Sequence, residues 1–227
     1  MVYVCSDIHA EYDLFMKLLE KINFSDNDVM YICGDVIDKG KDSIRLMQLV
    51  MNAPNIYTII GNHEYDFLKY YWALMKDSPD DYDEVLNKLQ KYFPFDGYLL
   101  DWDTVDYMES LPYYLQTDEF IIVHSGLPID SGNNVLSPEG LKPEYLVYDR
   151  NFKDASVLPT TNKCIFFGHT PTSYICGESK ILKYKKAGFM GNNIKDYCKI
   201  HLDLGTWLDK TMGCICVDTL EEFYVTA

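Results

Sequence analysis

The sequence has little positive charge, and this absence limits the partners of the protein. Its 20 Lys and Arg residues are outnumbered by 35 Asp and Glu residues, which gives a formal net charge of −15 at pH 7. Non-specific binding to DNA or RNA depends on Lys and Arg that neutralise phosphates, so no nucleic acid is expected as a partner. The acidity does not exclude a phosphate ester as substrate, because metal ions can supply local positive charge.

The sequence also lacks the features of membrane and secreted proteins. No apolar run approaches the roughly 18 residues that a membrane span needs. The N-terminus reaches Asp7 after a few apolar residues and has no basic segment, which argues against a signal peptide. The seven cysteines are odd in number and contain no Cys-x-x-Cys pair, as is typical of free thiols in a reducing compartment. A cytoplasmic protein without a membrane partner is therefore predicted.

No linker, internal repeat or low-complexity tract divides the chain, so one domain over residues 1–227 is expected. Apolar residues recur with helical spacing at residues 11–22 and 42–51, and β-branched runs lie between them. This order predicts a strand, helix, strand, helix, strand opening and therefore an α/β fold with a parallel core.

Two later regions have a different pattern. Residues 65–116 carry aromatic and charged residues with helical spacing, broken at Pro79 and Pro94, and are predicted to form a helical insertion beside the sheet. Beyond His169, alternating segments at residues 174–183, 199–204 and 213–217 predict antiparallel hairpins that form a second sheet.

Five short apolar runs each end in a polar residue that can bind a metal. The runs reach His9, Asp35, His63, His124 and His169, and use four of the five histidines. A continuous β-branched and aromatic run is typical of a strand buried on both faces. The polar residues are then expected just past the carboxyl ends of strands, where open α/β sheets place their active sites. One Asp at such a place would be ordinary turn chemistry, but five repetitions favour a shared site.

The polar residues at these ends form a plausible ligand set for two metal ions. Asp7 and His9 are two residues apart, so in an extended segment both side chains would point to the same side and hold one ion. Asp35 would bridge to a second ion. The remaining candidate ligands are Asn62, His124 and His169. Mixed carboxylate, imidazole and amide ligands suit Mn, Fe or Zn. Two such ions would activate a bridging hydroxide and neutralise charge at phosphorus, which predicts phosphoester hydrolysis.

His63 and Asp38 are the candidate proton donor and its partner. His63 directly follows Asn62, so it is not expected to share the metal of Asn62, but it stays at the edge of the site and could protonate the leaving oxygen. Asp38 lies three residues past Asp35 and is placed to orient His63 and keep it protonated. The alternatives are a turn-capping Asp38 and a His63 that bonds only to backbone.

Several blocks of the sequence resemble a known family. Residues 34–40 (Gly-Asp-Val-Ile-Asp-Lys-Gly) and 61–64 (Gly-Asn-His-Glu) are similar to the paired signature of the calcineurin-like metallophosphoesterases, in particular the phosphoprotein phosphatase family and its bacterial and phage relatives. Further similar blocks lie at residues 6–10, 124–127, 168–171 and 202–205. The resemblance implies a two-sheet sandwich flanked by helices, with two divalent metals, most readily Mn, at one end.

The resemblance also implies roles for individual residues. It places Asp7, His9 and Asp35 at one metal, with Asp35 shared by the second metal and the ligands Asn62, His124 and His169. Asn62 would also contact the substrate phosphate. Residues 145–150 are similar to a bacterial segment that ends in a phosphate-gripping Arg, here Arg150. Lys39 stands where the family has Arg, and its ammonium is a point charge rather than a planar fork. Lys39 is therefore either a phosphate ligand or a solvated turn residue.

Three functions are compatible with the sequence. The first is a serine/threonine-type protein phosphatase that acts on a phosphorylated protein. The second is a hydrolase of dinucleoside polyphosphates or another small phosphoester, since bacterial relatives of this branch include symmetrical diadenosine tetraphosphatases. The third is a non-catalytic metal-binding scaffold, which the presence of every expected ligand disfavours. The substrate, the metal pair, the oligomeric state and the role of residues 65–116 are left open.

Overall fold

Two mixed sheets of five strands each form the centre of the protein. The computed structural model describes residues 1–94, 96–132, 134–155 and 163–227. The strands are β1 (Val2–Cys5), β2 (Val29–Ile32), β3 (Ile56–Thr58), β4 (Tyr114–Gln116), β5 (Phe120–Val123), β6 (Cys164–Phe167), β7 (Leu182–Lys185), β8 (Tyr197–His201), β9 (Thr211–Cys216) and β10 (Glu222–Thr226). The α-helices are α1 (Tyr12–Lys21), α2 (Ser43–Asn52), α3 (Asn62–Asp77), α4 (Tyr82–Gln90), α5 (Trp102–Ser110), α6 (Pro143–Val147), α7 (Ser173–Cys176) and α8 (Thr206–Asp209).

The first sheet has the strand order β10-β9-β1-β2-β3. Strands β1, β2 and β3 are parallel, and α1 and α2 connect them, which confirms the predicted opening of the fold. The first sheet is buried on both faces. Cys5 lies in one apolar cluster with Leu14 and Phe15 of α1, whereas Val4 lies in another with Phe166 of the second sheet. Burial on both faces explains why these strands read as continuous apolar runs.

The second sheet has the order β4-β5-β6-β8-β7. Strands β5, β6 and β8 are parallel, and β4 and β7 pair antiparallel at the two edges. The prediction that the segments after His169 form a second sheet of their own was wrong in two respects. The start of the segment 174–183 is helical (α7), and β9 joins the first sheet, antiparallel to β1. Alternation marks a strand but does not specify the strand with which it pairs.

The predicted insertion contains helices α3, α4 and α5, and its last residues form β4. Helix α3 begins at Asn62, three residues before the predicted start. The earlier start follows from the Glu64 side chain, which accepts a hydrogen bond from the N–H of Gly61 and so satisfies a free donor at the helix terminus. Over the described parts of the chain, no helix combines the length and the apolar character needed to cross a membrane.

Candidate active site

Most of the predicted site residues follow the parallel strands of both sheets, either in loops or at the start of α3. Several of them line one cavity of about 160 Å³. They are His9, Asp35, Lys39, Asn62, His63, Arg150 and His169. Asp7, Asp38 and His124 do not line the cavity but contact residues that do. The ends of β1, β2, β3, β5 and β6 therefore converge on one place.

The backbone at this place is left-handed at several residues other than glycine. The φ angles are 50° at Asp7, 49° at His9, 55° at Asp35 and 71° at His169. Such conformations cost of order 1–3 kcal/mol each and are concentrated at functional sites. The assumption that Asp7 and His9 share an extended segment was wrong, because β1 ends at Cys5 and a tight turn follows. The alternation of an extended strand therefore does not orient these two side chains.

The first group of metal-binding side chains consists of His9, Asp35 and His63. One ligand atom of each lies within 4.8 Å of the others. The His9 Nδ1 lies 3.3 Å from the carbonyl oxygen of Ile37, so this nitrogen can donate a hydrogen bond to it and leave the Nε2 lone pair free. That Nε2 lies 3.7 Å from Asp35 Oδ2. The group places an imidazole lone pair beside a carboxylate.

The second group consists of Asp35, His124 and His169. The His124 Nδ1 lies 2.8 Å from the Cys33 carbonyl oxygen, and its Nε2 lies 3.4 Å from Asp35 Oδ2. The Asn62 Oδ1 lies 3.1 Å from His124 Nε2 and 2.7 Å from His169 Nδ1. Four possible metal-ligand atoms thus converge, from one carboxylate, one amide and two imidazoles. Asp35 belongs to both groups.

Asp7 belongs to neither of these groups, which were found among the described residues. Its two carboxylate oxygens lie 3.1 Å from the backbone N–H of His169, and one also accepts a hydrogen bond from the Ser6 hydroxyl. A Cβ at Gly168 would lie only 2.0 Å from Asp7 Oδ2, so the close approach requires glycine there. Burial and the charges of Asp203 and Asp35 raise the pKa of Asp7 well above its usual value.

The electrostatics of the site fit divalent cations. Burial lowers the pKa of His9 to about 4 and that of His169 to about 2, and it also lowers the pKa of His124. These imidazoles are therefore neutral and can donate lone pairs to a metal. The His169 Nε2 is buried and has no hydrogen-bond partner, which is an uncommon state for a buried polar atom. The other nitrogen of His169, Nδ1, faces Asn62 Oδ1 at 2.7 Å and His124 Nε2 at 3.1 Å, so a cation held by Nδ1 would neutralise Asp35.

His63 and Asp38 form a close pair beside the first group. The His63 Nδ1 lies 2.7 Å from Asp38 Oδ2, and this hydrogen bond lowers the pKa of Asp38 to about 2. Burial opposes protonation of His63, but the hydrogen bond to Asp38 and the charge of Asp35 outweigh it and raise the pKa of His63. The His63 Nε2 lies 3.8 Å from Asp35 Oδ2, so it faces the shared carboxylate.

The two predicted phosphate ligands lie at the same cavity. The Arg150 Nη1 donates a hydrogen bond of 3.1 Å to the Thr170 hydroxyl, which fixes the guanidinium near His169. The Lys39 Nζ lies over the ring of Trp207, 4.8 Å from its centroid. Lys39 is exposed and contacts this aromatic ring at the edge of the cavity.

The calcineurin-like phosphoesterase family matches residues 1–201 of the sequence. The chain belongs to this family. Membership confirms the predicted family and the predicted enzyme class, a phosphoester hydrolase, and it implies divalent metal ions.

Two curated proteins that are similar to this chain carry names of different enzymes. The symmetrical bis(5'-nucleosyl)-tetraphosphatase of Wigglesworthia glossinidia brevipalpis is 38% identical over 88 residues, which cover 37% of this chain and 32% of that protein. Serine/threonine-protein phosphatase 2 of Salmonella typhimurium is 39% identical over 64 residues, which cover 28% of this chain and 29% of that protein. The aligned part of the chain therefore spans about a third of the length of these relatives.

A solved structure shows the same fold. Its name describes it as a diadenosine tetraphosphatase on a provisional basis. The two structures superpose with a TM-score of 0.66 and 17% sequence identity, and the match covers 100% of this chain and 93% of that chain. This match confirms the predicted two-sheet α/β phosphoesterase fold flanked by helices.

Glu64 organises this phosphoesterase site, although no role was predicted for it from the sequence. Its fully buried carboxylate accepts hydrogen bonds of 2.8–3.1 Å from the N–H groups of Asp35, Val36, Ile37 and Gly61. Glu64 thus holds the loop after β2 against the start of α3. The signal in the sequence was a Glu three residues after Gly61, which is the spacing of a capping box.

Asp203 is a second residue without an assigned role. It lines the cavity, it is 3% exposed, and its Oδ1 accepts a hydrogen bond of 2.8 Å from the Gly205 N–H. Burial raises the pKa of Asp203 to about 7. The fifth histidine, His201, lies outside both groups, where it is fully buried and its ring stacks on that of Phe167 with 4.3 Å between the centroids.

Proposed function

We propose that this protein hydrolyses dinucleoside tetraphosphates with the help of two divalent metal ions. The observation that carries the proposal is the position of Asp35, whose Oδ2 lies 3.7 Å from His9 Nε2 and 3.4 Å from His124 Nε2. One carboxylate between the neutral imidazoles of His9 and His124 is the arrangement expected of a shared ligand in a two-metal centre.

The proposed ligands are divided between the two ions. His9, Asp35 and Asp7 would hold one ion, and the Asp7 carboxylate also accepts a hydrogen bond from the His169 N–H. The second ion would be held by Asp35, Asn62, His124 and His169. Mn is the first candidate, with Fe and Zn as alternatives, because the set mixes oxygen and nitrogen donors without a thiolate. When bound, the two ions would supply positive charge for the phosphate and would activate water.

The other side chains of the site have separate tasks in this proposal. Arg150 and Lys39 bind phosphate oxygens, and the guanidinium of Arg150 suits a phosphate because its donors form a planar fork. Asn62 adds an amide donor at the same phosphate. Asp38 orients His63 through Nδ1, so the proton on Nε2 is available for the leaving oxygen.

The choice of substrate rests on the relatives. On the sequence alone, the serine/threonine phosphatase comes first and the dinucleoside polyphosphate hydrolase second. Seven of the curated relatives are symmetrical bis(5'-nucleosyl)-tetraphosphatases, and these support the second alternative. The positive charge of Arg150, Lys39 and two bound metals would offset the repulsion of a polyphosphate by the acidic chain.

The proposal is tested with purified protein that has been stripped of metal and reloaded with Mn. Diadenosine tetraphosphate, a phosphoserine peptide and p-nitrophenyl phosphate are compared by kcat/KM, and the nucleotide products are separated by chromatography. We expect diadenosine tetraphosphate to be the best substrate and ADP to be its only product. Efficient turnover of the phosphopeptide without turnover of diadenosine tetraphosphate would overturn the proposal.

A protein phosphatase is the second candidate function. Its support is the similarity to the Salmonella typhimurium serine/threonine-protein phosphatase 2, which is 39% identical over 64 residues. The same comparison of substrates separates the two candidates, because a protein phosphatase would prefer the phosphoserine peptide.

A further inference from the structure

Part of the active-site cavity is aromatic and has no role in the reaction described above. Tyr174 and Trp207 line the same cavity as Arg150 and Lys39. Tyr174 is 69% exposed and Trp207 is 38% exposed, so neither residue is buried in the core. Exposed aromatic residues scattered singly need no explanation, but two beside a cationic phosphate site are a potential binding surface.

The two rings are carried by two short helices that are tied together. Tyr174 lies in α7 and Trp207 in α8. The carboxylate of Asp209 accepts hydrogen bonds from the hydroxyls of Ser173 at 3.0 Å and Ser179 at 2.7 Å, which links α8 to α7. The Thr172 N–H also donates a hydrogen bond of 2.8 Å to the Asp203 carbonyl. A surface held in this way loses little conformational entropy when a ligand binds.

The aromatic surface is also next to positive charge. The Lys39 ammonium lies 4.8 Å from the centroid of the Trp207 ring, which is within the range of a cation–π interaction. A ligand that carries both an aromatic ring and phosphates would therefore find a ring and a cation side by side. Nucleotides have this combination of groups.

We infer that Trp207 and Tyr174 form a nucleobase subsite of the candidate active site. One base of the substrate stacks on these rings while its phosphates contact Arg150 and Lys39. The inference rests on the proposed function, since it names the part of a dinucleoside polyphosphate that the protein recognises. Stacking of a base on an aromatic side chain strengthens binding by roughly 5-fold to 150-fold, so the subsite would distinguish nucleotides from other phosphates.

The test compares the binding of ADP and pyrophosphate to the Mn-loaded protein by isothermal titration calorimetry. Both ligands carry a diphosphate, but only ADP carries a base. We expect wild-type protein to bind ADP at least about fivefold more tightly than pyrophosphate. Trp207→Ala should remove this difference by weakening ADP binding, Tyr174→Ala should reduce it, and Trp207→Phe should retain most of it. Trp72→Ala is the matched control, because Trp72 is 39% exposed and lies in α3, outside the lining of this cavity.

Three results would overturn the inference. Trp207→Ala could leave the affinities for ADP and pyrophosphate both unchanged. It could also weaken both affinities equally, which would mean that the ring acts only by positioning Lys39. Phenyl phosphate serves as a third probe. If Trp207→Ala weakened phenyl phosphate as strongly as ADP, the surface would accept any aromatic ring, and its assignment to a nucleobase would be wrong.

The inference and the proposed function can fail separately. If diadenosine tetraphosphate is not hydrolysed but Trp207→Ala selectively weakens ADP binding, the proposed function is wrong and the nucleobase subsite stands. If diadenosine tetraphosphate is hydrolysed while Trp207→Ala leaves the ADP preference intact, the function stands and the subsite is wrong.

Discussion

The carboxylate of Asp38 holds the imidazole of His63 through a contact of 2.7 Å between Oδ2 and Nδ1. Asp38 comes from the loop after β2, where its backbone N–H donates to the Ser43 hydroxyl at 3.0 Å. His63 is the second residue of α3, and its own backbone N–H donates to Asp35 Oδ1 at 3.0 Å. Both ends of the pair are therefore anchored, and the remaining His63 nitrogen, Nε2, is held toward Asp35.

This geometry predicts that His63→Asn impairs proton donation more than metal binding. Turnover of substrates with poor leaving groups should fall by about 10²–10⁴-fold, because the leaving oxygen loses its acid. Turnover of p-nitrophenyl phosphate should fall much less, since its leaving group needs little protonation. Asp38→Asn should show a smaller loss with the same dependence on the leaving group.

Because the His63 ligand atom also lies near His9 and Asp35, elemental analysis must accompany the kinetics. Loss of metal or equal losses on both substrates would contradict the role of a proton donor.

Asp35→Asn should reduce occupancy at both metal positions and abolish turnover. Asp35 is the member common to both groups of metal-binding side chains. Loss of a residue that merely supports a ligand often costs about 10–100-fold in metal affinity, and loss of a shared ligand should cost more. Elemental analysis of the purified variant measures this directly, with the exposed Asp106→Asn in α5 as the control. Two metals per chain in Asp35→Asn would show that another group bridges the ions.

The place of the site could be predicted from the sequence because it depends on local patterns. Each of the apolar runs before His9, Asp35, His63, His124 and His169 is a strand, and a parallel strand carries its functional residues just past its carboxyl end. The order of elements then predicts a parallel core. Side chains from five strands were expected to meet for these reasons. Residues after β1, β2, β3 and β6 line one cavity, and His124 after β5 contacts Asn62 of its lining.

Other features depend on contacts between distant segments and could not be predicted in this way. The pairing of β9 with β1 joins residues about 200 positions apart, and alternation alone does not specify it. The orientation of Asp7 depends on a left-handed backbone and on the close approach of Gly168. Tyr174 and Trp207 lie in short helices whose placement beside Arg150 follows only from the packed structure.

Glu64→Gln should destabilise the protein and lower its activity. The glutamine amide has one oxygen in place of two, and its NH₂ group would face backbone N–H groups that now donate to the carboxylate. Leaving buried donors unsatisfied should cost at least about 2 kcal/mol, which corresponds to roughly 4–8 °C in melting temperature for a protein of this size. Thermal unfolding measures the loss, and the exposed Glu20→Gln in α1 is the control. An unchanged melting temperature would show that the loop after β2 does not depend on Glu64.

Lys39→Ala should weaken the binding of substrate without loss of metal. A charge-assisted hydrogen bond is worth about 1.5–3 kcal/mol, so KM for diadenosine tetraphosphate should rise by about tenfold or more. Lys39→Arg should preserve or improve binding because it restores a planar fork. Lys41→Ala, which removes an exposed positive charge two residues away, is the control. A KM for Lys39→Ala within twofold of wild type would leave Arg150, Asn62 and the metals as the phosphate ligands.

The buried Lys199 should make the stability of the protein rise with pH in the alkaline range. Its Nζ donates hydrogen bonds to the carbonyl oxygens of Phe152 at 2.6 Å, Lys153 at 3.1 Å and Ala155 at 3.2 Å, but burial lowers the pKa of Lys199 from 10.5 to about 8. Between pH 8 and 10.5 the unfolded chain therefore binds more protons at this position than the folded chain, and the free energy of unfolding increases with pH.

The measurement is the difference in melting temperature between wild type and Lys199→Met, which should grow in favour of the wild type from pH 7.5 to about pH 10. Lys17→Met in α1 controls for the loss of one exposed positive charge. If the difference between wild type and Lys199→Met stayed constant across this range, the pKa of Lys199 would not be lowered in the folded protein.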